Sequence, residues 1–288
     1  MKAVLAILVV ALAGATAQIG LLKNTLRVKW GLPLIHSDFL YEIPRHELLI
    51  ISEGWVRVAR PTDSLLPTLK MYCMKQDYTF CTMYDAVTGD VSGLQIAIPV
   101  ADYKNYPVDL GTIGFRKWAA PDNKEYWISE QYFVDPEPYK AGLTERRASR
   151  ADATLEQGGV WVPDVRGNPM KIGDKEADMQ GTNFDKQACT VSMGQHYYYN
   201  MTSQSDCSQL YPWFGLYNEG ALVGTGFKIF GTLPEVPAGR RVWFEDSNRL
   251  AIQLIVPDGP ECLYDLTDSP GAFTLHIYYE DHPYTFFC

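Results

Sequence analysis

Apolar and polar residues alternate in several short runs along the chain, and these runs predict β-strands. Successive side chains of a strand point to opposite faces, so Phe273, Leu275 and Ile277 would share one face. Such two-sided strands are typical of antiparallel sheets that bury one face and expose the other to water. The polar residues predicted to face water in these runs are Lys228, Gln253, Thr274 and His276.

Five times an aromatic residue is followed directly by an acidic or amide residue, a polar stretch and then one of these runs. Each occurrence predicts a strand, a turn and a second strand. The five openings and the runs after them are Tyr41-Glu42 with 48–50, Tyr84-Asp85 with 94–96, Tyr217-Asn218 with 227–229, Phe244-Glu245 with 250–252, and Tyr264-Asp265 with 273–277. The predicted fold class is mainly β, with curved antiparallel sheets of hairpins and one or two short helices, at the margin of α+β.

The strand patterns are unevenly distributed along the chain. Residues 18–134 and 188–288 are rich in them, whereas 135–187 is rich in charge, Gly and Pro. Within this middle segment a short, weakly amphipathic helix is predicted over 144–157, between a Thr that can cap its start and a Gly that can end it. We expect two β-rich halves, which can share one large domain.

The first 17 residues have the layout of a cleaved secretory signal. Met1-Lys2 precedes an apolar run over 3–13, and Ala15-Thr16-Ala17 places small residues before Gln18. The run is shorter than the roughly 20 residues that a membrane anchor needs. We therefore expect a secreted, extracellular protein without a membrane span. Asn200 begins an Asn-Met-Thr triplet and is then an expected N-glycosylation site.

The number of cysteines fits an oxidising compartment. An even number predicts disulfides, here three bridges chosen from 15 pairings. Pairing nearest neighbours gives the simplest hypothesis, Cys73–Cys81, Cys189–Cys207 and Cys262–Cys288. The spacings are too wide for a zinc-thiolate site.

Charge and motifs exclude several functions. The net charge is −9, and no run of Lys or Arg offsets it, so nucleic acid is not an expected partner. No nucleophile elbow, HExxH helix, phosphate-binding loop or dinucleotide fingerprint occurs. No catalytic residue and no organic cofactor are therefore predicted from a motif.

The histidines leave one catalytic alternative open. His276 is predicted to be a surface imidazole, since it lies on the polar side of its strand. His46-Glu47 and Glu280-Asp281-His282 could form a hydrolytic or metal-binding pair if the fold brings them together. An extracellular hydrolase or oxidoreductase with a His and carboxylate site is therefore an alternative function.

Three acidic residues alternate in a pattern that suggests calcium. Asp174, Glu176 and Asp178 offer oxygen ligands at every other position, as in calcium loops. The pattern departs from an EF-hand at Met179, where Gly is needed, and at Asp185, where a Glu closes the loop. A solvated acidic loop is the alternative interpretation of these residues.

Aromatic residues cluster in two stretches and suggest a ligand site. Trp118 and Trp127 lie in one stretch, and Trp213 and Phe214 in another. Most such rings pack in cores, but rings that line a pocket bind apolar or sugar ligands. We therefore take these four residues as candidate ligand-binding residues.

Short motifs in this order resemble the ependymin-related proteins, secreted glycoproteins with a fold similar to that of bacterial lipoprotein carriers. The motifs are Trp30-Gly31, Phe39-Leu40-Tyr41-Glu42 with Arg45 and Glu53, 224–231 followed by Val236-Pro237 and Val242-Trp243, and a final Cys after an aromatic run. The resemblance implies a curved antiparallel sheet with an apolar pocket, calcium binding and no catalytic residues.

The function expected from these patterns is binding of a small ligand. We expect a secreted, disulfide-bonded glycoprotein that holds a hydrophobic or amphipathic molecule in a pocket lined by a sheet. The extracellular enzyme described above is one alternative. A sugar-binding or matrix protein that uses exposed Trp and Tyr is the other.

Overall fold

The computed structural model describes residues 25–31, 39–101, 103, 107–140, 158–232, 236 and 239–287. The strands, in chain order, are β1 (Thr25–Val28), β2 (Tyr41–Pro44), β3 (Val56–Val58), β4 (Lys70–Met74), β5 (Asp77–Tyr84), β6 (Val91–Pro99), β7 (Arg116–Ala119), β8 (Glu125–Tyr132), β9 (Gly159–Pro163), β10 (Pro169–Gly173), β11 (Phe184–Thr190), β12 (Gly194–Tyr199), β13 (Trp213–Asn218), β14 (Ala221–Phe230), β15 (Glu245–Ser247) and β16 (Ala272–Tyr278). The α-helices are α1 (Glu47–Ser52), α2 (Pro136–Lys140), α3 (Arg249–Ile255) and α4 (Glu261–Leu266).

These strands form two eight-stranded antiparallel sheets, which confirms the predicted fold class. Sheet 1 has the order β10-β9-β8-β6-β5-β4-β3, and β7 pairs with β8. Sheet 2 has the order β11-β12-β13-β14-β16-β1-β2, and β15 pairs with β16. The middle segment supplies strands to both sheets, whereas the helix predicted over 144–157 lies outside the described residues.

The inner faces of the two sheets pack against each other and form the main core. Buried residues of both sheets belong to one continuous apolar cluster. Polar contacts also cross it, since the Trp213 indole of sheet 2 donates to the Ser129 hydroxyl of sheet 1 at 2.8 Å. The Gln131 amide donates to the Thr225 hydroxyl at 2.7 Å. These bonds satisfy polar groups that would otherwise be costly to bury.

The outer faces of both sheets are also covered, which corrects the prediction of one wet face. On sheet 1, the segment 59–69 places Leu66 and Leu69 over a second apolar cluster. On sheet 2, Ile252 of α3 and Leu263 of α4 cover a third cluster, together with Phe286. Lys228, Thr274 and His276 are therefore buried, although they point away from the inter-sheet core as their alternation predicts. Gln253 is exposed, but on a helix.

Two of the five predicted hairpins are confirmed, β5 with β6 and β13 with β14. The runs 48–50 and 250–252 are helical instead, in α1 and α3. A side chain caps the start of each helix, and Asn is among the residues preferred at this position. The His46 ring accepts from the Leu48 N–H, and the Asn248 side chain accepts from the Ala251 N–H. The fifth prediction is half correct, because 273–277 is a strand but Tyr264-Asp265 lies in α4.

Disulfides join elements on the outer faces. Cys73 and Cys81 are bridged directly across the β4–β5 pair, as predicted. Cys207 is bridged to Cys262 of α4, so the nearest-neighbour pairing of these two cysteines was wrong. Their Cα atoms are 6.1 Å apart because both lie on the outer side of sheet 2. Cys189 is disulfide-bonded too, and Cys288 lies outside the described residues.

Within the described residues, no helix is both long and apolar enough to cross a bilayer.

Candidate functional site

Ionisable and polar side chains are buried together on the outer face of sheet 2. His196 lies on β12, Lys228 on β14, and His276 and Tyr278 on β16, and each is at most 4 % exposed. Glu245 of β15 lies beside them. We call His196, Lys228, Glu245, His276 and Tyr278 the polar cluster. Their positions follow from strand alternation. Side chains next to them along the strands point into the inter-sheet core, so the cluster residues point to the outer face.

Glu245 and His276 form a hydrogen-bonded pair. His276 Nδ1 is 2.6 Å from Glu245 Oε2, which also accepts from the Thr274 hydroxyl at 2.7 Å. Glu245 Oε1 accepts the backbone N–H groups of Trp30 and His276. On this edge of β16, β15 pairs with residues 272–274 and β1 with residues 277–278. The carboxylate lies in the gap between these two strands and accepts backbone N–H groups there.

The charge of this carboxylate fixes the tautomer of the histidine. Burial alone would raise the pKa of Glu245, but the His276 ring and the hydrogen bonds outweigh it and hold the pKa below its usual value. An ionised carboxylate only accepts hydrogen bonds, so His276 Nδ1 carries the proton that points to Glu245. Nε2, on the other side of the ring, then faces the rest of the polar cluster.

Several buried polar atoms of the cluster have no hydrogen-bond partner among the described residues. They are Nδ1 and Nε2 of His196, Nζ of Lys228, Nε2 of His276 and the hydroxyl of Tyr278. The backbone of Ala188 and Gly194 lies near the His196 ring, without hydrogen-bonding geometry. Each unsatisfied buried group costs about 1 to 3 kcal/mol, and most buried polar groups in proteins are satisfied. Their concentration on one face makes the polar cluster the candidate site.

Aromatic rings line the same surface. Lys228 Nζ lies 5.1 Å from the Tyr198 ring centre and 5.4 Å from that of Phe230. The Phe214 ring lies between the two histidines, 5.7 Å from His196 and 5.6 Å from His276. The cluster is thus a polar centre with an apolar, ring-lined border.

Gly226 makes room for the Phe214 ring. A Cβ atom at Gly226 would come within 1.9 Å of Phe214 Cζ, so any larger residue would displace the ring. Gly226 is also directly opposite His276 in the β14–β16 pair. The absence of a side chain at this position therefore sets how the ring and the imidazole fit together.

Burial destabilises the charged form of the histidine and the lysine. Burial, followed by the nearby His276, lowers the pKa of His196 to about 3, so its ring is neutral. Burial lowers the pKa of Lys228 from 10.5 to about 7. The two rings beside the ammonium can supply about 2 kcal/mol, less than the several kcal/mol that removal of an ion from water costs. Lys228 is held in an unfavourable environment.

We expect Lys228→Met to stabilise the fold in a pH-dependent way. Between pH of about 7 and 10.5 the unfolded chain binds a proton that the folded protein lacks, so wild-type stability rises with pH there. Removing the amine should raise the free energy of unfolding by about 1 to 4 kcal/mol at acidic pH. The gain should shrink as the pH rises through this window, and urea unfolding at several pH values measures it.

The matched control is Lys186→Met, since that amine is exposed and paired with Glu176 at 2.8 Å. It should change stability by less than about 1 kcal/mol. A loss of stability in Lys228→Met across the whole pH range would contradict the assigned environment of Lys228.

Only one of the four predicted ligand residues borders the polar cluster. Phe214 packs beside His196 and His276, whereas Trp213, its neighbour, points into the inter-sheet core. Trp118 packs on the outer face of sheet 1. Trp127 is half-buried against the inter-sheet core, with Lys117 Nζ 5.3 Å from its ring centre. The structure therefore does not bring the four rings together.

The acidic loop is engaged in local contacts. Glu176 pairs with Lys186 and accepts from the Tyr197 hydroxyl at 2.9 Å, and these groups lower its pKa. Asp178 accepts from the Lys175 N–H at 3.3 Å, and the backbone of Asp174 bonds to Leu222. In the described part of the chain, no three His, Cys, Asp or Glu side chains are placed to hold a metal ion.

The other predicted residues lie outside the cluster. His46 begins α1, and Glu47 pairs with Lys70. His282 packs against the ring of Tyr284. Asn200 is exposed in the turn after β12, where an attached glycan would meet solvent. His276, predicted at the surface, is instead buried in the polar cluster because α3, α4 and 283–287 cover its face of the sheet.

Sequence reasoning did not assign Lys228, Glu245, His196 or Tyr278 to a site. Lys228 and His276 do carry a signal, since both occupy outward positions of strands that are otherwise apolar. That signal identifies a polar face, but burial of the face depends on helices that the patterns did not predict.

No family model, no curated protein and no solved structure matches this chain.

Proposed function

We propose that this protein binds a small amphipathic molecule on the outer face of sheet 2. The polar head of the molecule enters the polar cluster, and its apolar body lies along the rings and under α3 and α4. The observation that supports this most strongly is the set of unsatisfied buried atoms on Lys228, His276 and Tyr278. An oxygen-bearing head group would supply the acceptors that the Lys228 amine and the Tyr278 hydroxyl lack.

The surroundings of the cluster fit the apolar part of such a ligand. Leu216 and Val223 lie on the same face of sheet 2, and Ile252 of α3 and Val256, which follows α3, belong to the same apolar cluster. Apolar walls with a few convergent polar groups are characteristic of small-molecule sites. The disulfide between Cys207 and Cys262 links α4 to the segment that precedes β13.

The extracellular setting remains part of the proposal. The cysteines within the described residues are bridged, as expected for an oxidising compartment. Asn200 is accessible for glycosylation. The resemblance to the ependymin-related proteins, with their apolar pocket, is compatible with the same function.

An enzymatic function is the second candidate, because Glu245 orients the His276 ring at 2.6 Å. A carboxylate that fixes the tautomer of a histidine is the arrangement used by general bases. In this protein Nε2 of His276 is buried and has no hydrogen-bond partner among the described residues. An enzyme would therefore have to act on a molecule bound at the same site, so ligand binding is the property to test first.

We expect an environment-sensitive hydrophobic probe to bind the native protein saturably, at about one per chain. Decanoate or 1-decanol should displace it and should raise the melting temperature as the ligand concentration increases, since both bind only the folded state. Fluorescence titration and thermal melting measure the two effects. A cooperative melt must accompany them, because molten states also bind such probes.

Tyr278→Phe provides a variant that is specific to the site. It removes a hydroxyl without a partner, so it should weaken ligand binding up to about tenfold while leaving the fold intact. Tyr217→Phe is its matched control, since that hydroxyl donates to the Gly173 carbonyl at 2.7 Å in the inter-sheet core. It should lower stability and leave affinity unchanged. Absence of saturable binding by well-folded protein would refute the proposal.

A further inference from the structure

Lys228 is buried without an acidic partner among the described residues. Its Nζ makes no hydrogen bond among the described residues. Glu245, the acid of the polar cluster, already accepts from His276, Thr274 and Trp30. By contrast, the buried Arg60 on sheet 1 is paired with Glu130 at 2.8 Å.

An amine in these surroundings is a nucleophile. The burial that lowers the pKa of Lys228 leaves a large share of the amine uncharged near neutral pH. Lysines that are desolvated in apolar pockets form Schiff bases with carbonyl compounds for this reason. An exposed lysine, with a pKa near 10.4, is almost entirely protonated at the same pH.

His276 is a diagonal neighbour of Lys228 on the outer face of sheet 2. Lys228 is opposite Thr274 in the β14–β16 pair, and His276 is the next residue on the same face of β16. Diagonal neighbours of this kind have their side chains within about 7 to 8 Å of each other. Glu245 holds the far side of the ring through Nδ1 and so leaves Nε2 on the side away from the carboxylate.

We propose that Lys228 captures aldehydes as a reversible imine, so that the natural ligand is an amphipathic aldehyde. The inference rests on the proposed function, because the apolar layer around Lys228 would hold the chain of the aldehyde. The Lys228 nitrogen attacks the carbonyl carbon, and a proton passes from nitrogen to oxygen to give a carbinolamine. Loss of water then yields the imine: the unprotonated Nε2 of His276 takes the remaining proton from the Lys228 nitrogen and passes it to the hydroxyl, which leaves as water. No oxidant or reductant takes part.

The experiment traps this imine with decanal and sodium cyanoborohydride at limiting aldehyde and near-neutral pH. Intact mass and peptide mapping then identify the alkylated lysine. We expect the peptide that contains Lys228 to be labelled at least about tenfold faster than any peptide carrying an exposed lysine, because far more of its amine is uncharged. Labelling should lose this selectivity in Lys228→Arg and keep it in Lys186→Met.

A parallel measurement with 1-decanol separates this inference from the proposed function. Decanol has the same chain and no carbonyl, so it reports binding alone through the melting temperature. A decanol shift without preferential labelling of Lys228 would overturn the imine and leave ligand binding standing. If decanol causes no shift of the melting temperature and Lys228 is not labelled, both the imine and the proposed ligand binding are overturned. Equal labelling of Lys228 and exposed lysines would also overturn the imine.

Discussion

Replacing Glu130 by Gln should lower the free energy of unfolding by about 3 to 5 kcal/mol, the largest loss that we expect from a single substitution at an ion pair. Glu130 lies on β8, on the outer face of sheet 1, and is only 5 % exposed. It pairs with Arg60 at 2.8 Å and with Arg116, and it accepts from the Tyr132 hydroxyl at 2.7 Å. The neutral amide would leave Arg60 buried without an anion.

The same ion pairs make stability depend on pH in the acidic range. Burial alone would raise the pKa of Glu130, but Arg60 and Arg116 outweigh it and hold the pKa below 4.5. The folded protein therefore binds fewer protons than the unfolded chain below this value, and stability is lost as the pH falls through the folded pKa. In Glu130→Gln this contribution to acid sensitivity should be absent.

Urea unfolding at neutral and acidic pH measures both effects. The matched control is Glu125→Gln, on the same strand, since Glu125 is exposed and pairs with Lys117 at 2.9 Å. That change should cost less than about 1 kcal/mol. Similar losses from the two substitutions would mean that Glu130 is not buried between its arginines.

Leu275→Ala should cost about 2 to 5 kcal/mol, because Leu275 is fully buried between the sheets and the change leaves a cavity. Leu254→Ala is the control. Leu254 is 66 % exposed on α3, and its truncation should change stability by less than about 1 kcal/mol. Chemical denaturation of both variants tests the assignment of the inner face, which equal effects would contradict.

Thr274 shows how the structure changes an expectation drawn from alternation. The alternation predicts an exposed hydroxyl and an effect of Thr274→Ala within about 1 kcal/mol. In the structure this hydroxyl is buried and donates to Glu245 at 2.7 Å. We now expect its loss to cost about 1 to 3 kcal/mol.

Local patterns predicted the sheets well and their surroundings poorly. Strand periodicity is a property of neighbouring residues, so β6, β14 and β16 follow directly from their alternation. Short helices such as α1 and α3 have too few residues for a distinct period. Their caps, His46 and Asn248, become informative only once the chain around them is known not to pair in a sheet.

The polar cluster could be predicted only in part for the same reason. Lys228 and His276 share a face through alternation, but the register that brings their strands together is a tertiary property. Glu245 lies beside His276 because β15 pairs with β16, although the two strands are separated in the sequence. The cost of burying these groups depends on α3 and α4, which no pattern within the strands specifies.

The pairing of β1 with β16 has a consequence for how the chain folds. Arg27 is opposite Tyr278, so sheet 2 can be completed only after the last strand has been synthesised. Sheet 1 consists of strands between Val56 and Gly173 and can assemble earlier. Pairing across such a separation is slow, and unpaired edges are prone to aggregate meanwhile. We therefore expect the edge of β1 that pairs with β16 to stay open on the nascent chain until Ala272–Tyr278 has been synthesised.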